Sequence, residues 1–380
     1  MKDNLFALSS VAFPGGYKFF IIIIITLFSG EGFANEFSNY FFWVTLLVTF
    51  SGLPLASAMV SSQHQITDVY KVFIIVMSSV IAYSVSYTIA LNQFDASVNI
   101  AVFLSLVAQS FYEVYKRYFL NTGDFVKVFI ASLFTVIFFL VSYFLFGYST
   151  SYMLFLSFFS LLFPMLIAYL FREVKKGDEN LSKDRLLSII QIFFKYLVSN
   201  ATSTSLMYFL PIVIIHELGN NVAASLAQVF YLSTLSYFLP RALSAKHIPI
   251  MRSEGIYRGK VKSFYSMIFV FVVGTSIVAL LAFSLLYEQW MIFFLLYLSM
   301  NASQLALPYA NVLMVKGEAT LIMSTNLKST IALLLVVALI FTCFEQGEER
   351  CMLLLIAFTL YQILKLSLTR YCSRQFFLNN

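Results

Sequence analysis

The sequence predicts an all-α integral membrane protein whose helices form two similar halves of six. Three observations lead to this class: an apolar composition, a series of apolar segments of membrane-spanning length, and an echo of the first half in the second. Of the 380 residues, 60% are hydrophobic and 11% are charged, and the mean hydropathy is +0.86. A water-soluble fold of this length could not bury so much apolar surface, because a large share of any fold's surface faces solvent.

Apolar segments long enough to cross a membrane recur along the whole chain. A helical span needs about 20 predominantly apolar residues. We expect the first segment to be an uncleaved membrane span and not a signal peptide, since it is longer than the apolar core of a signal peptide and contains a lysine. About twelve segments reach the required length, at residues 6–28, 37–60, 69–91, 98–119, 125–146, 152–171, 187–215, 222–243, 264–286, 290–315, 321–344 and 352–368.

The charges of the loops indicate how the chain crosses the membrane. If the N-terminus is cytoplasmic, 20 of the 24 lysines and arginines lie on inner segments, and Arg350 alone lies on an outer loop. Cytoplasmic loops of membrane proteins carry an excess of Lys and Arg. The distribution therefore predicts a multi-pass protein with both termini in the cytoplasm.

The second half of the chain repeats features of the first. The charged segment REVKKGDENLSKDR separates six spans from six. The second span ends in SGLPLASA and the eighth in YFLPRALSA, which share a Leu-Pro-x-Ala core. We therefore expect an N-terminal six-helix bundle at 1–171, a cytoplasmic linker at 172–186 and a C-terminal six-helix bundle at 187–380. Parallel repeats of this kind commonly place a binding site between them.

Lys18 lies within the first span, directly after Pro14, Gly15 and Gly16. A charge in hydrocarbon is costly, so in-span cations usually face a partner or a water-filled cavity. Pro and Gly weaken a helix, and we expect the three residues to loosen the first helix before the lysine. We interpret Lys18 as a cavity residue that meets an anionic group such as a phosphate; the alternative is a structural lysine or one that reaches the membrane surface.

Two further lysines lie within spans and complete the predicted cationic cavity. Lys195 opens the polar run KYLVSNATSTSL in the seventh span, and Lys328 lies in STNLKST in the eleventh. For Lys328 the alternative is again a side chain that reaches the surface, and for the polar run it is helix packing by small residues. Nearby polar residues are candidates for the cavity lining: Asn200, Thr202, Asn301, Gln304 and Asn326.

Glu113, in the fourth span, is the acidic residue placed furthest within the predicted spans. Lys116 and Arg117 follow three and four residues later, which is the spacing of a helical ion pair. We favour a structural pair, formed by Glu113 and Arg117 or Lys116. The alternative is a site that couples transport to an ion.

The sequence lacks the usual signals of an enzyme. Its three histidines, His64, His216 and His247, have no metal-ligand spacing. The sequence has no glycine-rich phosphate loop. It also has no large outer loop, which a membrane glycan polymerase would need. We therefore predict no catalysis, metal or cofactor, and no nucleic-acid partner. Cys343 and Cys351 flank an outer loop, where we favour free thiols over a disulfide.

The chain resembles the polysaccharide flippases of the Wzx type, within the multidrug/oligosaccharidyl-lipid/polysaccharide exporter superfamily. The stretch FFIIIIITLFSGEGFANEFSNYFFWVTLLVTFSGLPLASA and the end of the eighth span, YLSTLSYFLPRALSAKHIP, carry the resemblance. It implies two six-helix bundles around a central cationic cavity, in the inner membrane of a bacterium. It further implies export of O-antigen or a related polysaccharide repeat unit linked to undecaprenyl diphosphate, for surface lipopolysaccharide.

On this resemblance the lysines would hold the diphosphate and polar residues would contact the sugars. The other partners implied are membrane lipids, a polysaccharide polymerase and a chain-length regulator. Two alternatives remain: a multidrug or cation antiporter of the same fold, and a membrane-embedded glycan polymerase or acyltransferase. Against the antiporter, the first span has no acidic residue where multidrug relatives usually carry a cation-binding Asp.

Overall fold

The chain forms long helices, as the apolar segments predict. The computed structural model describes residues 2–61, 68–122, 124–146, 149–172 and 183–377. Its helices are α1 (Lys2–Ser29), α2 (Glu31–Val48), α3 (Gly52–Ser61), α4 (Asp68–Ile89), α5 (Ala96–Thr122), α6 (Phe125–Phe146), α7 (Thr150–Leu170), α8 (Lys183–Ala201), α9 (Thr204–Leu218), α10 (Ala223–Ser236), α11 (Phe238–Glu254), α12 (Arg258–Leu286), α13 (Trp290–Ala302), α14 (Leu307–Val315), α15 (Ala319–Cys343) and α16 (Glu348–Ser373).

These helices confirm the predicted fold class. Within the described ranges, 11 helical segments are long and apolar enough to cross a membrane, and a shorter apolar segment, Phe13–Ser29, coincides with the first predicted span. Four of the 11 combine two helices joined by a short break: α2 with α3, α8 with α9, α10 with α11, and α13 with α14. The protein is therefore a multi-pass membrane protein with interrupted helices.

Proline explains three of these breaks. A proline has no N–H to donate to the carbonyl four residues earlier, so the helix is weakened there. Pro54, Pro240 and Pro308 lie four residues after Phe50, Ser236 and Gln304, and each of these residues lies at or next to a break. At the first break the last turn of α2 tightens into bonds between residues three apart. The Thr49 N–H donates to Leu46 O at 3.0 Å, and the Thr49 hydroxyl donates to the same oxygen at 2.6 Å.

The helices group into two compact units, which differ in extent from the two bundles expected. Unit 1 comprises residues 1–13 and 21–212, and unit 2 comprises residues 14–20 and 213–380. The sequence predicts a linker at 172–186 between the bundles, which places most of α8 in the second bundle. In unit 1, α8 packs on α3, because Phe193 enters a cluster with Leu55 and Met59.

Unit 1 depends on a close approach between α3 and α5. Gly52 opens α3, and a Cβ added there would lie 2.5 Å from the Cα of Ser110 and 2.8 Å from its carbonyl oxygen. The hydroxyls of Ser51 and Ser110 form a hydrogen bond of 2.7 Å beside this contact. A glycine is thus required at position 52 by packing against backbone.

Unit 2 has its own core at the end that holds the C-terminus of α11 and the start of α12. Met251, Val261, Phe264 and Tyr309 belong to this cluster. The ring of His247 stacks on Phe264 with 4.6 Å between centroids. His247 therefore contributes to packing.

We predict that Gly52→Ala destabilises the protein by about 2 kcal/mol, because the new methyl group meets backbone that cannot move aside. The thermal unfolding midpoint of the purified protein in detergent measures this. Gly274→Ala is the matched control, since it lies inside α12 with no atom within 4 Å of the added Cβ; it should be neutral or stabilising. Equal midpoints for the Gly52→Ala variant and the wild type would contradict the packing role.

Candidate functional site

Lys18 is buried inside the membrane-spanning part of α1. The residue is 8% exposed, and its Nζ lies 5.9 Å from the centroid of the Tyr231 ring. An ammonium group at this distance over an aromatic face is attracted by the ring's quadrupole. Lys18 and Tyr231 both belong to unit 2. The position thus combines a cation with a buried aromatic face at the depth where charges are expensive.

The residues before Lys18 act differently from our expectation. The helix α1 runs without interruption through Pro14, so the segment does not unwind. The two glycines instead allow a close approach to α10: a Cβ on Gly15 would lie 2.9 Å from the hydroxyl oxygen of Thr234, and one on Gly16 would lie 3.3 Å from Leu235. The Pro-Gly-Gly sequence therefore sets helix packing, which brings the lysine against Tyr231.

The other two lysines of the predicted cavity differ from Lys18 in burial. Lys195 on α8 and Lys328 on α15 are both exposed side chains. Lys195 belongs to unit 1, whereas Lys328 belongs to unit 2. Lys18 is thus the buried member of the set, and a shared cavity for all three lysines stays a prediction.

The polar run after Lys195 provides hydrogen bonds at the break between α8 and α9. The Thr202 hydroxyl donates to Val198 O at 2.8 Å, and the Ser203 N–H donates to Asn200 O at 3.2 Å. Asn200 and Thr202 are half-buried. These bonds satisfy backbone carbonyls at the end of α8, as a helix end within a membrane requires.

Asn301 joins two broken spans of unit 2. Its side chain is fully buried, its Nδ2 donates to Tyr297 O at 3.0 Å, and its Oδ1 accepts a hydrogen bond from Ser236 at the end of α10. The Tyr237 hydroxyl donates to Met300 O at 2.9 Å beside this contact. Asn301 is therefore a structural bridge between α10 and α13.

Gln304 and Asn326, the remaining lining candidates, are also buried. The Nε2 of Gln304 donates to the Ser303 hydroxyl at 2.9 Å in the short 3-10 turn between α13 and α14. Asn326 lies on α15, two residues before Lys328. Their contact with a cargo stays a prediction.

Glu113 forms an ion pair, and its partner is Lys116. The Lys116 Nζ lies 2.6 Å from Glu113 Oε2, and both side chains are largely buried. The Nε2 of Gln109 donates to Glu113 Oε1 at 2.9 Å, and Lys116 lies 4.9 Å from the Tyr112 ring centroid. The carboxylate is held by a cation and an amide on one face of α5. Arg117 is half-buried one residue further on, and whether the site is structural or couples transport to an ion stays a prediction.

The structure adds a charged cluster that the sequence analysis missed. Lys71 at the start of α4 is 5% exposed, and its Nζ lies 3.0 Å from Asp68 Oδ1 and 2.8 Å from the Tyr169 hydroxyl. Arg172 donates to Asp68 Oδ2 at 2.5 Å and stacks on Tyr169 at 3.6 Å. Burial acts to lower the pKa of Arg172, but the hydrogen bond to Asp68 and the charge interactions with Asp68, Tyr169 and Tyr118 together outweigh it, so the pKa is raised. The Asp-x-x-Lys spacing was visible in the sequence; the approach of α7 was not.

Arg350, the single cation of the outer loops, is likewise paired. It lies 3.2 Å from Glu217 at the end of α9, a carboxylate with no exposed side-chain surface. The Gly347 N–H donates to the same carboxylate at 3.3 Å. Cys343 and Cys351, on either side of this loop, are free thiols in this structure. The described residues contain no group of three metal-ligating side chains.

No protein-family model matches the chain, and no curated protein matches its sequence. Solved structures do match over nearly its whole length. An outward-facing multidrug resistance MATE family transporter of the MOP superfamily is 12% identical, covers 98% of this chain and 93% of its own, and has a TM-score of 0.64. The eukaryotic MATE transporter AtDTX14 is 14% identical over 98% and 97% of the two chains, with a TM-score of 0.67.

A MATE transporter of Vibrio cholerae, VcmN, is 12% identical over 98% and 96% of the two chains, with a TM-score of 0.58. The fold is thus that of a class of membrane transporters. The likeness shows that this chain shares the fold of these MATE transporters. The narrower resemblance to polysaccharide flippases stays a prediction.

We predict that Lys116→Met costs about 3 kcal/mol of stability, since it leaves the Glu113 carboxylate buried beside an apolar side chain. Adding Glu113→Gln should recover part of this loss, because the double variant buries no unpaired charge. Thermal midpoints of the single and double variants measure the coupling. Lys260→Met is the control: its pair with Glu254 is exposed, and such pairs contribute less than about 1 kcal/mol. A Lys116→Met variant as stable as the wild type would contradict the pairing.

Proposed function

We propose that the protein is an alternating-access flippase that moves a lipid-linked oligosaccharide, carried on undecaprenyl diphosphate, across the bacterial inner membrane. The fold supports transport, since its solved neighbours are transporters. The observation that carries the choice of cargo is Lys18, a buried cation in the first transmembrane helix. In this proposal both termini are cytoplasmic and the cargo is an O-antigen or related repeat unit.

The charge of Lys18 favours an anionic cargo. Keeping an ammonium group in the membrane interior costs free energy, and a protein retains such a group where it meets a substrate or ion. The described part of the span, Phe13–Ser29, has no acidic residue in its sequence, so it offers no carboxylate for a cationic drug or a coupling cation. A diphosphate is the complementary partner, because charge-assisted hydrogen bonds from Lys to phosphate are strong.

The aromatic face beside Lys18 fits the same role. Tyr231 is buried with the lysine, and an aromatic ring stabilises a cation without removing its charge. We assign Lys195 and Lys328 as further cationic contacts along the path of the diphosphate, and Gln304 and Asn326 as candidate contacts for the sugars. A polysaccharide polymerase and a chain-length regulator are the proposed partners downstream.

A multidrug antiporter is the second candidate, and the fold comparisons favour it over the flippase. The first of the reported neighbours is named as a multidrug resistance transporter. For such a protein a cation-binding carboxylate would be needed within a span, and Glu113 is the candidate in unit 1. Its pairing with Lys116 leaves it poorly suited to hold a transported cation.

Complementation of a host strain from which the gene is deleted distinguishes the two functions. We predict that the wild type and Lys18→Arg restore surface glycan, while Lys18→Met at equal membrane abundance lowers export at least tenfold, because the diphosphate loses its counter-charge. The thermal unfolding midpoints of the purified variants are measured beside export, so that a loss of export is distinguished from a loss of fold. Surface glycan and inner-leaflet lipid-linked intermediate are the quantities measured.

The control variant is Lys316→Met, which removes an exposed lysine outside the spans and should export normally. Normal export by Lys18→Met would overturn the anionic path. A deletion strain with intact surface glycan and increased sensitivity to cationic drugs would overturn the flippase and support the antiporter.

A further inference from the structure

A groove of about 540 Å³ runs between α6 and α7 on unit 1. Apart from one lysine, the described residues that line it are apolar, and most of its phenylalanines and isoleucines are exposed. Ala131 and Ala168 line it where larger side chains would fill it, and Pro164 interrupts the hydrogen bonding of α7 beside them. Exposed apolar surface on a membrane-spanning segment faces lipid.

The groove is somewhat longer than the hydrocarbon half of one leaflet is thick. It extends along α6 from Lys127 to Val141, which at 1.5 Å per residue corresponds to about 21 Å. One half of the hydrocarbon core of a bilayer is about 15 Å thick. A fatty acyl chain therefore fits within it from the membrane boundary to the midplane, whereas a polyisoprenyl chain would extend far beyond it.

A cation marks one end of the groove. Lys127 lies in the first turn of α6, at the boundary of the candidate span Phe125–Leu145. Its Nζ is 3.3 Å from Asp124, and both side chains are close to half exposed. Such a pair is weak, so the ammonium group can also donate a hydrogen bond to a phosphate oxygen. Arg172, close in sequence to the lining residue Phe171, is held by Asp68.

We propose that this groove is a binding site for an anionic phospholipid of the leaflet in which α6 begins. One acyl chain lies along Ala131, Phe134 and Phe138, and the phosphate contacts Lys127. Basic pockets between transmembrane helices at a membrane face bind anionic head groups. The bound lipid bridges α6 and α7 and stabilises unit 1 by mass action. The site is independent of the transported cargo.

The test measures lipids retained by the purified full-length protein in native mass spectrometry. The probes are phosphatidylglycerol and phosphatidylcholine with identical acyl chains, added in equal amounts. We expect the wild type to retain phosphatidylglycerol about fivefold over phosphatidylcholine, the effect of one basic residue near an anionic lipid. Lys127→Gln should abolish this preference, while Asp124→Asn should increase it, since it frees the ammonium group.

Two further variants separate the head-group and chain contacts. Ala168→Phe should reduce retention of both lipids, because the added ring occupies the groove. Lys260→Gln, an exposed lysine of unit 2, is the matched control and should retain the wild-type preference. A preserved preference in Lys127→Gln, or undiminished retention in folded Ala168→Phe, would overturn the site. Displacement of phosphatidylglycerol by an equal amount of undecaprenyl phosphate would overturn the choice of a phospholipid.

Discussion

The structure depends on the satisfaction of backbone hydrogen bonds in a medium without water. Hydrocarbon offers no partner to a free carbonyl or N–H group, so each helix break within a span must be bonded by the protein itself. Thr49 tightens the break before α3, and the Ser51 hydroxyl hydrogen-bonds to that of Ser110 on α5. In unit 2, Asn301 meets Ser236 where α10 ends. The breaks caused by proline are thus also the places where helices are joined.

Buried charged groups within the membrane also need partners, and they differ in how deep within a span they lie. Lys71 is held by Asp68 and Tyr169 at the start of α4, and Glu217 is held by Arg350 at the end of α9. Both charges lie at the ends of spans, and the contacts of Lys71 with Tyr169 and of Glu217 with Arg350 each join two helices. Lys18 lies deeper, against Tyr231, in the apolar segment Phe13–Ser29, whose sequence contains no acidic residue. The proposed transport role of Lys18 rests on this burial within a span.

The two proposals use different surfaces of the molecule. The transport proposal rests on a buried cation of unit 2, where the glycines before Lys18 let α1 approach α10. The lipid site rests on an apolar groove of unit 1 with its cation at the membrane boundary. A charge at the boundary can contact a resident lipid and still be hydrated, whereas a charge at depth must be compensated by protein or cargo. The depth of each lysine therefore decides its proposed role.

The sequence by itself determined the class of fold and the approximate spans, because hydropathy and span length follow directly from the thickness of the bilayer. It also identified Lys18 as a cation within a span. The two Leu-Pro-x-Ala sequences lie beside two of the helix breaks. Tertiary structure decided the rest: that Gly15 and Gly16 pack on α10, that Lys116 pairs with Glu113, that α8 belongs with unit 1, and that Tyr169 and Arg172 meet Asp68. These contacts depend on which helix faces which, and a composition that is apolar on nearly every face leaves that choice to packing.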